Sequence, residues 1–75
     1  MRLFYYPETD SLYIELSERV SVDSIESAPG VVIDLDEQGD IVGIDIDRAS
    51  ERLSLDSLEL KDLPLRSLVA QQTLP

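Results

Sequence analysis

The sequence predicts an α+β fold, mainly β: an antiparallel meander of about five strands, then a short helix and a leucine-rich tail. Three observations predict it. Short runs rich in β-branched and aromatic residues recur along the first 46 positions, often with apolar residues at every second place. Turn-forming clusters separate them: Pro7-Glu8-Thr9-Asp10, Pro29-Gly30 and Glu37-Gln38-Gly39-Asp40. Beyond Leu53 the alternation stops, and leucines fall at a spacing that suits neither strand nor helix. The expected strands are 2–6, 11–16, 20–27, 31–36 and 41–46, with a helix at 48–53. Residues 1–53 form the folded unit and 54–75 a tail that covers its sheet or a partner.

In the first hairpin, Leu12, Ile14 and Leu16 alternate with Tyr13 and Glu15. Pairing Tyr5 with Leu12 sets Leu3 against Ile14 on the inner face. On the outer face the same register sets Phe4 against Tyr13 and Arg2 against Glu15. Aromatic and opposite-charge pairs across strands each contribute roughly 0.2–1 kcal/mol, so this register is self-consistent. Strand 20–27 is weaker, because its apolar spacing slips between Val22 and Ile25, where a bulge or bend is expected. The hairpin 31–36/41–46 is clearest. Placing Asp36 opposite Ile41 sets Leu35 against Val42, Ile33 against Ile44 and Val31 against Ile46, all on one face. A slip of one residue would set Val31 against Asp45 and waste the pattern.

After Ile46 the period changes. Asp47 is the expected N-cap of the short helix, with Ala49 and Leu53 on one side. In the tail, Pro64 forbids one continuous helix, leaving 56–60 and 64–71 as candidate short helices. No acid follows Asp62, and the last thirteen residues carry only Arg66 as a charge.

Seventy-five residues make one domain at the size where a core is barely sufficient by itself. The chain has no Cys and no His, which excludes a disulfide and removes the commonest zinc ligands and the usual proton-transfer group. Oligomerisation is then the remaining staple. Sixteen acids against six Lys or Arg give a net charge of -10. That field repels nucleic acid and anionic membrane, so neither is expected as a partner. A basic protein, a cation or a second copy is favoured, although acidity also keeps a small protein soluble. No run has the length of a membrane span, the first residues do not form a secretory signal, and a cytoplasmic protein is expected.

Tyr5 with Pro7-Glu8-x-Asp10-x-Leu12-Tyr13-Ile14 forms one part of a recognisable pattern. Ala28-Pro29-Gly30-Val31-x-x-Asp34-Leu35-Asp36, Gly39, Val42-Gly43-Ile44-x-Ile46 and Ala49-Ser50 form the rest. Together they resemble the bacterial and archaeal domain-of-unknown-function family 2283 over roughly the first fifty-three residues. The resemblance implies a compact β-meander with a short helix and carries no catalytic residue to transfer. It also suggests an antitoxin role, since some members look as though they are encoded beside small toxin-like proteins.

No residues here are assigned to catalysis. Serines lack a base, the single Lys61 sits in the tail, no Gly-rich phosphate loop exists, and so short a chain offers no deep sugar cleft. No cofactor is expected. Asp34, Asp36 and Asp45 point away from the apolar side in the register above, with Gly43 opening space opposite Asp34. As diagonal neighbours, Asp34 and Asp45 would stand roughly 7–8 Å apart, close enough to share Mg²⁺ or Ca²⁺. The plainer reading is a solvated strand face that also deters edge pairing. Phe4, Tyr6 and Tyr13 form an outward aromatic group, read as packing under the tail or at a dimer contact, with a partner hot spot as the alternative.

The inner face is the decisive feature. It carries Leu3, Tyr5, Leu12, Ile14, Leu16, Val31, Ile33, Leu35, Val42, Ile44 and Ile46, more than one short helix can hide. Either the tail folds back or a second copy packs on it. The expected function is a small acidic interaction module, homodimeric and antitoxin-like toward a basic protein; a purely structural dimer or a cation-binding protein are the alternatives. Expected contact residues are Leu55, Leu58, Leu60, Leu63, Leu65, Leu68, Phe4 and Tyr13.

Overall fold

The computed structural model describes residues 1–72, so the last three positions of the tail 54–75 lie outside the described residues. The fold is mainly β, a five-stranded antiparallel sheet followed by one helical turn. Its strands are β1 (Arg2–Tyr6), β2 (Ser11–Glu15), β3 (Asp23–Ala28), β4 (Val31–Leu35) and β5 (Ile41–Ile46), with α1 at Ala49–Arg52.

The strand order is β1-β2-β5-β4-β3 rather than sequential. β1–β2 is a hairpin and β3–β4–β5 a meander, and β5 closes against β2. Strands β2 to β5 thereby form a Greek key whose long connection is residues 16–22. That connection is held by the ends of the strands it crosses. Leu16 and Ser17 both donate N–H to the Val42 carbonyl, at 2.9 and 3.3 Å, and Val22 donates to Leu35 at 2.8 Å. The third strand accordingly begins at Asp23, leaving Val20 and Val22 exposed in the connection.

The first hairpin has the expected register throughout: Arg2 opposite Glu15, Leu3 opposite Ile14, Phe4 opposite Tyr13 and Tyr5 opposite Leu12. In the second hairpin Val31 faces Ile46 and Ile33 faces Ile44 as expected, but Leu35 faces Ile41 instead of Val42. A bulge between Asp34 and Leu35 makes the difference. It skips Val42, which turns inward and becomes one of the most buried side chains, while its free carbonyl takes the two N–H groups from the crossing segment. The irregularity expected near Val22 lies instead between Glu26 and Ala28.

Two apolar ladders run across the sheet on one side. Leu3, Ile14, Ile44, Ile33 and Ile25 form the first, and Tyr5, Leu12, Ile46, Val31 and Ala28 the second. On the other side Phe4, Tyr13, Asp45, Val32 and Glu26 align, beside Arg2, Glu15, Gly43, Asp34 and Ser24. Period-two alternation thus separates an apolar face from an acidic one.

The helix begins differently from expectation. Arg48, not Asp47, occupies the N-cap, in a left-handed conformation (φ 50°) and without a side-chain cap bond. Asp10 supplies the cap from the first hairpin: its carbonyl accepts the Ala49 N–H (2.8 Å), and its carboxylate accepts the Ser50 N–H (3.1 Å) and hydroxyl (2.7 Å). Asp10 itself has φ 53°, a conformation Asp tolerates better than most residues. The candidate helices at 56–60 and 64–71 do not form. Leucines five apart spread around a helix instead of lining one side, so no packing face repays the cost of helix nucleation.

Candidate interaction surface

The acidic face is built around a glycine. At Gly43 the Tyr13 ring lies directly over the backbone, and a Cβ there would fall 2.7 Å from Cζ. This fills the space that the sequence leaves open opposite Asp34. The Tyr13 hydroxyl then donates to Asp34 Oδ2 at 3.0 Å. Burial, followed by the Asp34 bond and the nearby charges of Glu15 and Asp45, raises the Tyr13 phenol above its ordinary pKa, so it stays a neutral donor. Next to it Arg2 makes a two-pronged pair with Glu15 (Nε to Oε2 2.6 Å, Nη2 to Oε1 3.0 Å) and lies 5.3 Å from the Phe4 ring centre.

Asp34, Asp36 and Asp45 are not brought together. Asp34 is engaged by Tyr13, Asp45 stands opposite Tyr13 and Val32, and Asp36 leaves the face altogether. At the end of β4 the bulge turns the Asp36 side chain into the hairpin loop, where it is buried to 8 % exposure. Its Oδ1 accepts the N–H groups of Gln38 and Asp40, both at 2.9 Å, and its Oδ2 meets Arg19 Nε at 3.0 Å. A shallow hollow of about 220 Å³ over this pair is lined by Arg19, Val20, Asp36, Glu37 and Gln38. Asp36 therefore ties the crossing segment to the loop. Among the described residues no group of three acids is arranged to hold a metal ion.

Three carboxylates are held below their usual range. For Asp36 the Asp40 N–H is the largest cause, with Gln38 and Arg19 adding to it. For Asp10 it is the Ser50 hydroxyl, then the Tyr5 hydroxyl at 2.7 Å, and for Glu15 the bond from Arg2. A depressed folded pKa stabilises the fold above the unfolded value of about 4 and is lost as pH falls through the folded value. Protonating the other acids meanwhile relieves the repulsion of a -10 chain. The expected melting temperature is therefore flat or rising from pH 7 to about pH 5, then falling below about pH 4. A midpoint that keeps rising down to pH 3 in a thermal melt series would show that these three contacts contribute nothing.

The apolar face remains open. Among the described residues Leu12, Val42 and Ala49 are the buried hydrophobic ones, and no large side chain is fully buried. Leu3 and Tyr5 stay 48 % and 45 % exposed. Among the described residues the six tail leucines lie between 42 % (Leu55, Leu60) and 71 % (Leu58) exposed. Between Leu3 and the tail lies an open hollow of about 770 Å³, walled by Leu58, Leu68 and Ala70 together with the polar Asp56, Ser57, Gln71 and Gln72. Phe4 and Tyr13 are half-buried within the acidic face, so the expected contact residues fall on opposite sides of the sheet.

Two residues that organise this surface, Asp10 and Arg19, escape sequence reasoning. Their partners Ser50 and Asp36 belong to other elements, and no periodicity links them. Among the described residues no helix is long and apolar enough to cross a membrane. The family model described as Protein of unknown function (DUF2283) matches residues 2–50. No curated protein and no solved structure matches the chain.

Proposed function

This chain belongs to the DUF2283 family, and from that premise we propose that it is a small acidic protein-interaction module acting as a homodimer through its apolar sheet face and leucine tail. One observation carries the reading: a single copy exposes far more surface than its size calls for. Its accessible area is 6465 Å², whereas a folded monomer of 8.4 kDa has about 4,600 Å². The excess of roughly 1,850 Å² per chain matches what obligate dimers bury, on the order of 2,000–5,000 Å² over both partners. The shape agrees. The radius of gyration is 13.5 Å against about 11 Å for a compact chain of this length, and the thinnest dimension is 19 Å.

Charge favours a second copy on this side. Four of the five strand acids, Glu15, Glu26, Asp34 and Asp45, lie on the opposite face, outside a contact made along the apolar side, and the fifth, Asp23, stands opposite Leu35 on the β3 edge. Sedimentation over a range of concentrations is expected to give a dimer with a concentration-dependent melt. A monomer at high micromolar concentration with a well-defined melt would overturn the reading. A second reading rests on the acidic face itself, which stays free in such a dimer and suits a basic protein, the antitoxin-like role. Salt-sensitive binding to a purified basic partner supports it, and retention that ignores salt counts against it.

A further inference from the structure

The two edges of the sheet are unequal. β3 is protected: it carries Asp23 and Glu26, and a bulge between Glu26 and Ala28 breaks its line. β1 has neither acids nor a bulge, and its single charge, Arg2, stands at its first position. Its sequence Arg2-Leu3-Phe4-Tyr5-Tyr6 contains no acid, no proline and no bulge, and its five residues pair with β2 without interruption. Among the described residues no backbone hydrogen bond joins β1 to the tail, so its outer N–H and C=O groups are free. An edge this regular and apolar is a template for another strand.

We infer that β1 pairs antiparallel with β1 of a second copy across a two-fold axis, joining the two sheets into one of ten strands. This rests on the homodimer reading and places its contact at the β1 rim of the apolar face, beside the tail. Charge selects the occupant. The other edge of this -10 chain, β3, carries Asp23 and Glu26, whereas the charge on β1 is Arg2. Self-pairing of β3 about Glu26 would set like charges face to face; self-pairing of β1 sets none.

The register follows from parity. Side chains alternate, so an odd offset would run the apolar face of one copy into the acidic face of the other. An even offset keeps the apolar ladders on one side. The even register that pairs all five residues puts Phe4 opposite Phe4 of the second copy, Leu3 opposite Tyr5, and Arg2 opposite Tyr6. The hollow beside Leu3 then lies next to the axis, where the second copy's Leu3, Tyr5 and tail leucines fill it. The half-exposed Leu3 and Tyr5 become the middle of a continuous apolar surface instead of its rim.

The chain has no cysteine, so one introduced thiol reports unambiguously. Opposed cross-strand Cβ atoms stand roughly 4.5–5.5 Å apart, near the reach of a disulfide. Phe4→Cys is expected to give a covalent dimer under mild oxidation, while Ile25→Cys on the β3 edge stays uncrosslinked. If Phe4→Cys loses its strand signal in circular dichroism, an equimolar mixture of Leu3→Cys and Tyr5→Cys reads the same register and is expected to form the mixed dimer. Sedimentation of the unmodified chain separates the failures. A dimer that crosslinks through Ile25, or through none of these positions, overturns the β1 contact and leaves self-association standing. A monomer overturns both.

Discussion

Gly43→Val is expected to destabilise the fold more than any other single substitution on the acidic face. The site is at the middle of the sheet, where β5 pairs with both β2 and β4. A Cβ there would meet the Tyr13 hydroxyl and Cζ, and Cζ is only 2.7 Å away. The ring cannot move aside cheaply, because its hydroxyl holds Asp34 and it is flanked by Phe4 and Asp45 in the cross-strand ladder. Overpacking of this kind costs about 1–3 kcal/mol. In a domain of this size each kcal/mol lowers the melting temperature by about 4–8 °C. Shape complementarity between Tyr13 and Gly43 predicts a further result. Removing the ring with Tyr13→Ala is expected to cost stability in the parent chain and to cost far less in the Gly43→Ala background, since both changes act on one contact. Strict additivity of the two in denaturant melts would show that the ring does not depend on the missing side chain.

Removing residues 54–75 is expected to have the largest effect on assembly. The tail holds Leu55, Leu58, Leu60, Leu63, Leu65 and Leu68, each 42–71 % exposed in one copy. Burying the exposed part of one such leucine in a dimer is worth about 1–1.5 kcal/mol, roughly tenfold in the association constant. Loss of even two of them should weaken the dimer by about 100-fold. The shortened chain should also melt lower and bind apolar dyes, because the two apolar ladders lose their remaining cover. A truncated protein with the same association constant and the same melting temperature would show that the tail is a passenger. Were the dimer intact but the melt lowered, the tail would be acting within its own chain.

The two hairpins were legible because their residues report directly on one another. In a strand with one apolar side, alternation leaves a single register that keeps every apolar residue together, and a turn of fixed length supplies the same register independently. Leu3 opposite Ile14 and Ile33 opposite Ile44 follow from that alone. The bulge at Val42 does not, because a residue omitted from a ladder leaves the apolar pattern of its neighbours nearly unchanged. Asp36 therefore looked like a face residue, although the bulge sends it into the loop to meet Arg19.

Alternation in the chain by itself determined which residues share a side of the sheet, and hence that an acidic face and an apolar face exist. Only the tertiary structure decided that β5 closes on β2, that Asp10 caps a helix 40 residues away, and that Arg19 pairs with Asp36. The physical reason is that side-chain periodicity is a local property, whereas strand order depends on which backbone edges meet. Those edges present the same N–H and C=O groups whatever the sequence. Which edge closes on which is settled by long-range contacts, such as Leu16 and Ser17 on the Val42 carbonyl, that leave no periodic trace in the chain.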